Sequence, residues 1–491
     1  MIVGSPLQRG EREWIMSYRL LRAFLILLLC FGIFLSTRVT ALAASADIQL
    51  SSSVGAPTSS IVVTGSNFQQ GEKVIISFDA LKAGSTTTDS TGAFKKDITV
   101  PANALPGNHS VDATGQTSGL SASATFLVRT NWPMSGYNQA RTRYNHLENV
   151  INPTNASTLV VDWTAQTGDS IESSPAVARG LAYVGSQDGY LYAFNASNGT
   201  LAWRAFVGTA ISSSPAVAGD VVYVGAGRAG AGNGRLYAFN ASTGRLIWSS
   251  AAGIAILLSS PVVADGLVYI NSLSNPPSTL YAFNAATGAL VWTASEGEDT
   301  SPAIANGLLY INNSSSRTLD ALNASTGALV WSSSIGDFTI TSPAVANGIV
   351  YIGSDDQNLY AFNATTGTLI WSQPIGISVT SPAIANGIVY MGAANTNLSA
   401  FNAATGALVW SQPVGSGAVS SPAVANGVVY VCSFEHDLYA LDATNGTQLA
   451  KLATGGIGII HHSSPAVANG VVYIGSEDHN LYAFHLPGTT P

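Results

Sequence analysis

Two stretches of this 491-residue sequence gather residues that could do chemistry. "EGEDTSP" puts Glu296, Glu298 and Asp299 just ahead of a Ser-Pro pair, and "IGIIHHSSP" puts His461 and His462 ahead of another. Glu172 precedes a third such pair, and short polar turns add Asp188, Asp355, Asp356, Glu435, His436, Glu477, Asp478 and His479. Carboxylates brought together would hold a hard cation such as Ca²⁺ through oxygen ligands. An imidazole pair would add a transition-metal ligand or a base that titrates near neutrality. The same residues also suit solvated turns, where Asp bonds to its own backbone. Motifs of serine hydrolases, phosphate loops and zinc proteases are missing from the sequence. The Gly-rich "GAGRAGAGNG" follows a strand-like run and precedes another, not a helix, so it does not read as a nucleotide loop.

The elements that would position these residues repeat. "SPAVANGIVYIGSDDQNLYAFNATTGTLIW", Ser342 to Trp371, recurs with small changes. Ser-Pro pairs fall at Ser174, Ser214, Ser260, Ser301, Ser342, Ser381, Ser421 and Ser464, at intervals of 40, 46, 41, 41, 39, 40 and 43 residues. A period near forty with several strands per period is propeller length. Each unit reads as a small apolar strand, an Asn-Gly or Asp-Gly hairpin turn, "IVYIG", a polar turn, "LYAFN", a five-residue connection and "LIW". Gly recurs at the fourth place of that connection, as Gly199, Gly244, Gly288, Gly327, Gly367, Gly406 and Gly446. A backbone position needing φ > 0 explains it.

Counting strands decides how the array closes. The last unit, from Ser464, has no fourth strand after it, while "LVVDW", Leu159 to Trp163, is a fourth strand standing alone before the first unit. The economical solution is a ring in which Leu159–Trp163 supplies the outer strand of the final blade and leaves no mismatched ends. In this order one face of the ring collects the polar turns and the loops ahead of each Ser-Pro, so the candidate residues share a face. Trp203, Trp248, Trp292, Trp331, Trp371 and Trp410 each follow the turn Gly by four residues, Trp163 ends the isolated strand, and the seventh internal copy has Ala450 instead. One indole per blade would wedge against the neighbouring blade while its N–H finds a turn carbonyl. These residues are structural docks and say nothing of chemistry by themselves.

"AFNATTGTLIW" resembles the tryptophan-docking motif of the pyrroloquinoline-quinone (PQQ) repeat propellers, and "NWPMSGYNQARTRYNHLENVINPTN" is similar to that family's N-terminal segment. The family includes quinoprotein alcohol dehydrogenases and the propeller lipoprotein of the outer-membrane assembly machine. The resemblance covers about Asn131 to Leu486 and implies eight blades, in agreement with the strand count. For an enzyme it would imply PQQ, a Ca²⁺ held partly by carboxylates, and a general-base Asp. It would also imply long excursions between strands and, in many members, adjacent cysteines. This sequence has two cysteines, Cys30 and Cys432, and units with almost no spare length. No family cofactor ligand maps onto it.

Residues 1–46 read as an export signal or N-terminal anchor. "SYRLLR" precedes the apolar "AFLILLLCFGIFL", and "TALAASA" offers Ala41-Leu42-Ala43 as a cleavage site. The Leu run before Cys30 is unlike a lipid-attachment site. Residues 47–128 hold short alternating runs punctuated by Gly, Pro, Asn and Asp, the mark of a small β-sandwich. "VTGSNFQQGEKVIISFD" with "DSTGAFKKDITVP" resembles bacterial immunoglobulin-like modules of exported proteins. Residues 129–158 join it to the repeats of 159–487. From Arg129 onward ten Lys plus Arg face nineteen Asp plus Glu, so no basic stripe for nucleic acid exists.

The expectation is an all-β protein: an eight-bladed β-propeller closed by an N-terminal outer strand and preceded by a small immunoglobulin-like β-sandwich. It is expected to be extracytoplasmic and monomeric, and to bind an envelope or extracellular protein or a small ligand through face loops or blade edges. Membrane contact would come only through an uncleaved N-terminus. The alternative is a PQQ- and Ca²⁺-dependent dehydrogenase, and the weak metal candidates are Glu172, Glu298, Asp299, His461 and His462.

Overall fold

The computed structural model describes residues 45–227, 232–253, 256, 259–272, 278–295, 300–313, 315–337, 339–376, 380–393, 397–415, 420–454 and 463–488. The N-terminal signal or anchor, and the loops carrying Glu296, Glu298, Asp299, His461 and His462, lie outside these residues.

Strands Asp47–Leu50, Ser60–Ser66 and Phe94–Thr99 form one small sheet, and Val54–Gly55, Ser121–Val128, Gly107–Gly115, Lys73–Phe78 and Leu81–Thr87 form a second. Alternation along Lys73–Phe78 sends Val74, Ile76 and Phe78 inward, where they meet Ile61, Val63 and Ile98 of the other sheet in one core. The first two strands and Leu81–Thr87 were not anticipated, since the Gly, Ser and Thr of "LKAGSTT" carry no apolar alternation.

The repeats form seven sheets of four strands and an eighth widened to five by Tyr144–Asn145. In the unit quoted above the strands are Ala344–Ala346, Ile349–Gly353, Asn358–Asn363 and Leu369–Pro374, paired antiparallel in sequence order. Asn347 and Gly348 both have positive φ (50° and 76°), as a two-residue hairpin turn matched to strand twist requires. The ring closes as expected: Val160–Gln166 pairs antiparallel with Asn480–His485, from Val160 opposite His485 to Gln166 opposite Asn480.

The innermost strand is only three residues long because the Ser-Pro ahead of it has another task. The N–H of Ser174 donates to Ser214 Oγ (2.9 Å), that of Ser214 to Ser260 Oγ (3.1 Å), and so on through all eight units. Ser464 N–H returns to Ser174 Oγ at 2.9 Å. The eight serines are therefore a closed hydrogen-bonded ring around the axis.

Within the segment 129–158, expected to join two domains, residues 132–145 form an axial plug. Trp132 exchanges both backbone hydrogen bonds with Val177 (2.7 Å each). Carbonyls of Pro133, Gln139, Ala140, Thr142 and Arg143 then accept from Val217, Ile304, Val345, Ile384 and Val424 at 2.7–2.8 Å. The side-chain amides of Gln139 and Asn145 donate to Val263 and Val467. The segment thus visits the inner strand of every blade in order, satisfying backbone groups on edges that would otherwise be bare.

Candidate functional site

Six of the eight blade joints are built from the same four groups. Trp203 lies over Gly244 of the next blade, where an added Cβ would come within 2.5 Å of the indole. Its Nε1 donates to Ala241 O (2.9 Å), and Tyr183 OH donates to the same carbonyl (3.1 Å). A carbonyl has two lone pairs, so both bonds are made in full. The arrangement recurs for Trp248, Trp292, Trp331, Trp371 and Trp410, with Nε1 bonds of 3.0–3.1 Å. Trp163 docks on Gly199 in the same way, closing the ring, but its buried Nε1 has no partner.

The joint that lacks a tryptophan is filled by the lead-in. Beside Ala450, the buried Ile151, Ala156 and Leu159 join the cluster around Tyr430, and the 3-10 turn Ala156–Thr158 packs on the outer strand Gln448–Ala453. Asn426 Nδ2 donates to Ile151 O at 3.0 Å. Tyr430 OH is correspondingly left without the carbonyl its counterparts have.

Three of the polar-turn acids, Asp188, Asp356 and Asp478, act as local staples. Asp188 accepts from Tyr192 OH (2.6 Å), Tyr190 N–H (2.9 Å) and Gly168 N–H (3.0 Å). Asp356 and Asp478 repeat the first two of these bonds, to Tyr360 and Asn358 and to Tyr482 and Asn480. Burial, then the hydrogen bond to Asp356 and its charge, push the Tyr360 hydroxyl up to about 12, so it stays a donor. Glu435 stands at the equivalent place and reaches Lys451 at 3.4 Å, while Asp437 pairs with the same lysine at 3.0 Å. His436 and His479 occupy the left-handed turn position (φ 66° and 71°) that Gly189 fills in the first blade. His479 faces Asp169 across 3.7 Å. Asp355 is raised by burial and by the charges of Asp337 and Asp356. Glu172 is half-buried.

Among the described residues no group of three or more His, Cys, Asp or Glu converges to hold a metal. These residues therefore provide no Ca²⁺ donor set of the kind a quinone enzyme needs, and no step through PQQ follows from them.

Sequence reasoning missed Arg141 and Arg143. Both are buried (1% and 5% exposed) within the axial lead-in. Arg141 donates to Pro302 O (2.7 Å), Ser260 O (2.9 Å) and Ser135 O (3.0 Å). Their only sequence signal is an Arg-Thr-Arg in a low-charge segment, which nothing in the repeat pattern places at the axis.

The family model described as outer membrane protein assembly factor BamB matches residues 148–275, 204–300 and 276–487, more than half of the chain. The chain therefore belongs to the PQQ-repeat β-propeller family. No protein of curated function matches it. The quinohemoprotein alcohol dehydrogenase of Comamonas testosteroni superposes with TM-score 0.63 at 17% identity, over 74% of this chain and 81% of that one. BamB from Moraxella catarrhalis superposes with TM-score 0.57 at 19% identity, over 67% and 99%. A europium-containing methanol dehydrogenase gives 0.60 at 15% identity, over 72% and 98%. At these identities the likeness is one of fold.

Proposed function

We propose that this chain is an exported, non-catalytic binding or scaffolding propeller of the cell envelope, with the sandwich of residues 47–128 as an immunoglobulin-like spacer. The observation that carries this reading is the uniformity of the blades. Strand lengths and order repeat closely from blade to blade among the described residues, and Asp188, Asp356 and Asp478 on the polar-turn face are committed to holding their own turns. A reaction site needs groups left over from building the frame, and the described face offers few. The family's description as an outer-membrane assembly factor supports an envelope setting.

The outer strands offer a second route to a protein partner. Each ends its sheet among the described residues, and several show a pair of exposed aliphatics, such as Leu246 and Ile247, Leu329 and Val330, or Leu408 and Val409 (44–60% exposed). Strand edges of this kind recruit extended segments of other chains.

The fold shared with quinohemoprotein alcohol dehydrogenase keeps one alternative, a PQQ- and Ca²⁺-dependent dehydrogenase. Its site would have to be built by the face loops at 296–299 and 455–462, with Glu298, Asp299, His461 and His462. One experiment separates the two. Purified chain is titrated with PQQ and Ca²⁺ and assayed for dye-linked oxidation of alcohols and sugars, and tagged chain is cross-linked in envelope preparations. The binding reading expects no turnover and a cross-linked partner that is lost when both loops are replaced by the repeat consensus. Stoichiometric quinone binding with turnover overturns it.

A further inference from the structure

We infer that the axial floor of the propeller, beside Arg143, is a binding site for a small oxyanion of the carboxylate or phosphate class. This inference rests on the lead-in segment and is independent of the partner reading above. Arg141 and Arg143 stand two residues apart with positive φ (54° and 53°), a conformation that β-carbon-bearing residues adopt only when their surroundings hold them there. The Arg141 guanidinium reaches the level of the serine ring, since one of its acceptors is the carbonyl of ring member Ser260.

The two arginines differ in what they hold. Each of the three Arg141 nitrogens has a backbone carbonyl, so gluing the lead-in to blades 3 and 4 explains that residue fully. Arg143 is also buried, yet its guanidinium makes no hydrogen bond among the described residues, and its Nε is buried without a partner. Neither arginine forms an ion pair with a described carboxylate; the charged side chain that acts on Arg141 is Arg143 itself. Burial lowers Arg143 to about 10, and burial followed by its like-charged neighbour lowers Arg141 to about 9, so both remain cationic at neutral pH. A buried guanidinium with neither hydrogen-bond partners nor a counter-charge is costly, and an anion bound beside Arg143 would remove that cost.

The chemistry of the donor selects the ligand. A guanidinium presents a planar fork of N–H groups that matches the spacing of carboxylate or phosphate oxygens. Arg141, two residues away, touches the serine ring at Ser260 O. Each ring Oγ accepts an N–H from a neighbour, and no acceptor for its own proton is found among the described residues.

The test uses the full exported chain in a buffer free of chloride and oxyanions. Calorimetric titration with inorganic phosphate, and separately with acetate, is expected to show saturable one-site binding of at least one of them. Arg143→Gln should weaken it at least tenfold, and Arg245→Gln, at an exposed outer turn, should leave it within twofold. Absence of saturable binding of both anions overturns the site, as does equal affinity in Arg143→Gln, or an equal loss in Arg245→Gln. Should Arg143→Gln fail to fold, crystals of the unaltered chain soaked in selenate decide the matter. An anomalous peak within hydrogen-bond reach of Arg143 supports the site, and no peak there removes it.

Discussion

At the scale of single residues, the docking glycines and one buried carboxylate carry the sharpest consequences. Gly406 has φ 73°, and an added Cβ would sit 2.7 Å from the Trp371 ring. Gly406→Ala combines a left-handed backbone cost of roughly 1–2 kcal/mol with overpacking of about 1–3 kcal/mol. A loss of about 2–5 kcal/mol in urea unfolding is expected; a loss under about 1 kcal/mol would show that the indole is loosely seated. In the sandwich, Glu72 is buried and accepts from Ser118 (N–H and hydroxyl), Gln69 N–H and Thr117 N–H. Burial pushes its carboxyl up, but those bonds outweigh burial and hold it below the ordinary 4.5. A depressed carboxyl contributes stability that is present above its unfolded value and is lost as pH falls through its folded one. Glu72→Gln should therefore lower the sandwich's melting temperature at pH 7 and lose that penalty below pH 4.5. A pH-independent difference would contradict the assignment. The docking residues were legible in the sequence because type and spacing recur together. Asp188, Asp356 and Asp478 were legible as turn acids, but their staple role was not. The Tyr four residues on reads equally well as core, and only the fold shows its hydroxyl returning to the carboxylate.

At the scale of elements, the lead-in shows where pattern reading stops. Strands repeat because eight blades impose one set of demands, so their order, and even the outer strand at 160–166, could be counted from the text. The segment Trp132–Asn145 meets eight blades one after another, each at a different angle, and so has no period of its own. Its contacts are mostly backbone bonds, which leave no signature in side-chain type. The substitution of Ala450 for the consensus tryptophan is the one trace the lead-in leaves in the repeats. That yields a prediction opposite to consensus design. Restoring the motif with Ala450→Trp should destabilise the protein, because Ile151, Ala156 and Leu159 already fill the joint. Overpacking of a filled core typically costs about 1–3 kcal/mol. A shift of that size toward lower urea midpoints is expected, and any gain in stability would mean that the joint has room.

At the scale of the whole molecule, the question is what makes a ring out of eight small sheets, and the chain answers it twice. The outer strand Val160–Gln166 stitches the first blade to the last, and the lead-in ties all the inner edges from the axis. The sandwich is outside both devices; it is tied to the lead-in by Arg129 N–H to Gly55 O (2.9 Å) and by Asn149 Nδ2 to the carbonyls of Ala102 and Ala104. Three truncated chains separate these contributions. A chain beginning at Thr130 keeps both devices and should unfold in one cooperative transition close to that of the propeller in the full protein. A chain beginning at Leu159 keeps the stitching strand but loses the axial bonds to the inner strands. At a net value near 1 kcal/mol for each hydrogen bond, it should unfold at clearly lower urea concentration. A chain beginning at Ser174 loses both, leaving the last blade with three strands and an unpaired edge at Asn480–His485. Bare edges of this kind pair with other chains, so this form should aggregate or lose the sharp transition. Equal urea midpoints for the chains starting at Thr130 and Leu159 would show that the lead-in only lies on the axis. Equal midpoints for those starting at Leu159 and Ser174 would show that the ring holds without its stitch, by the serine circle and the tryptophan docks alone.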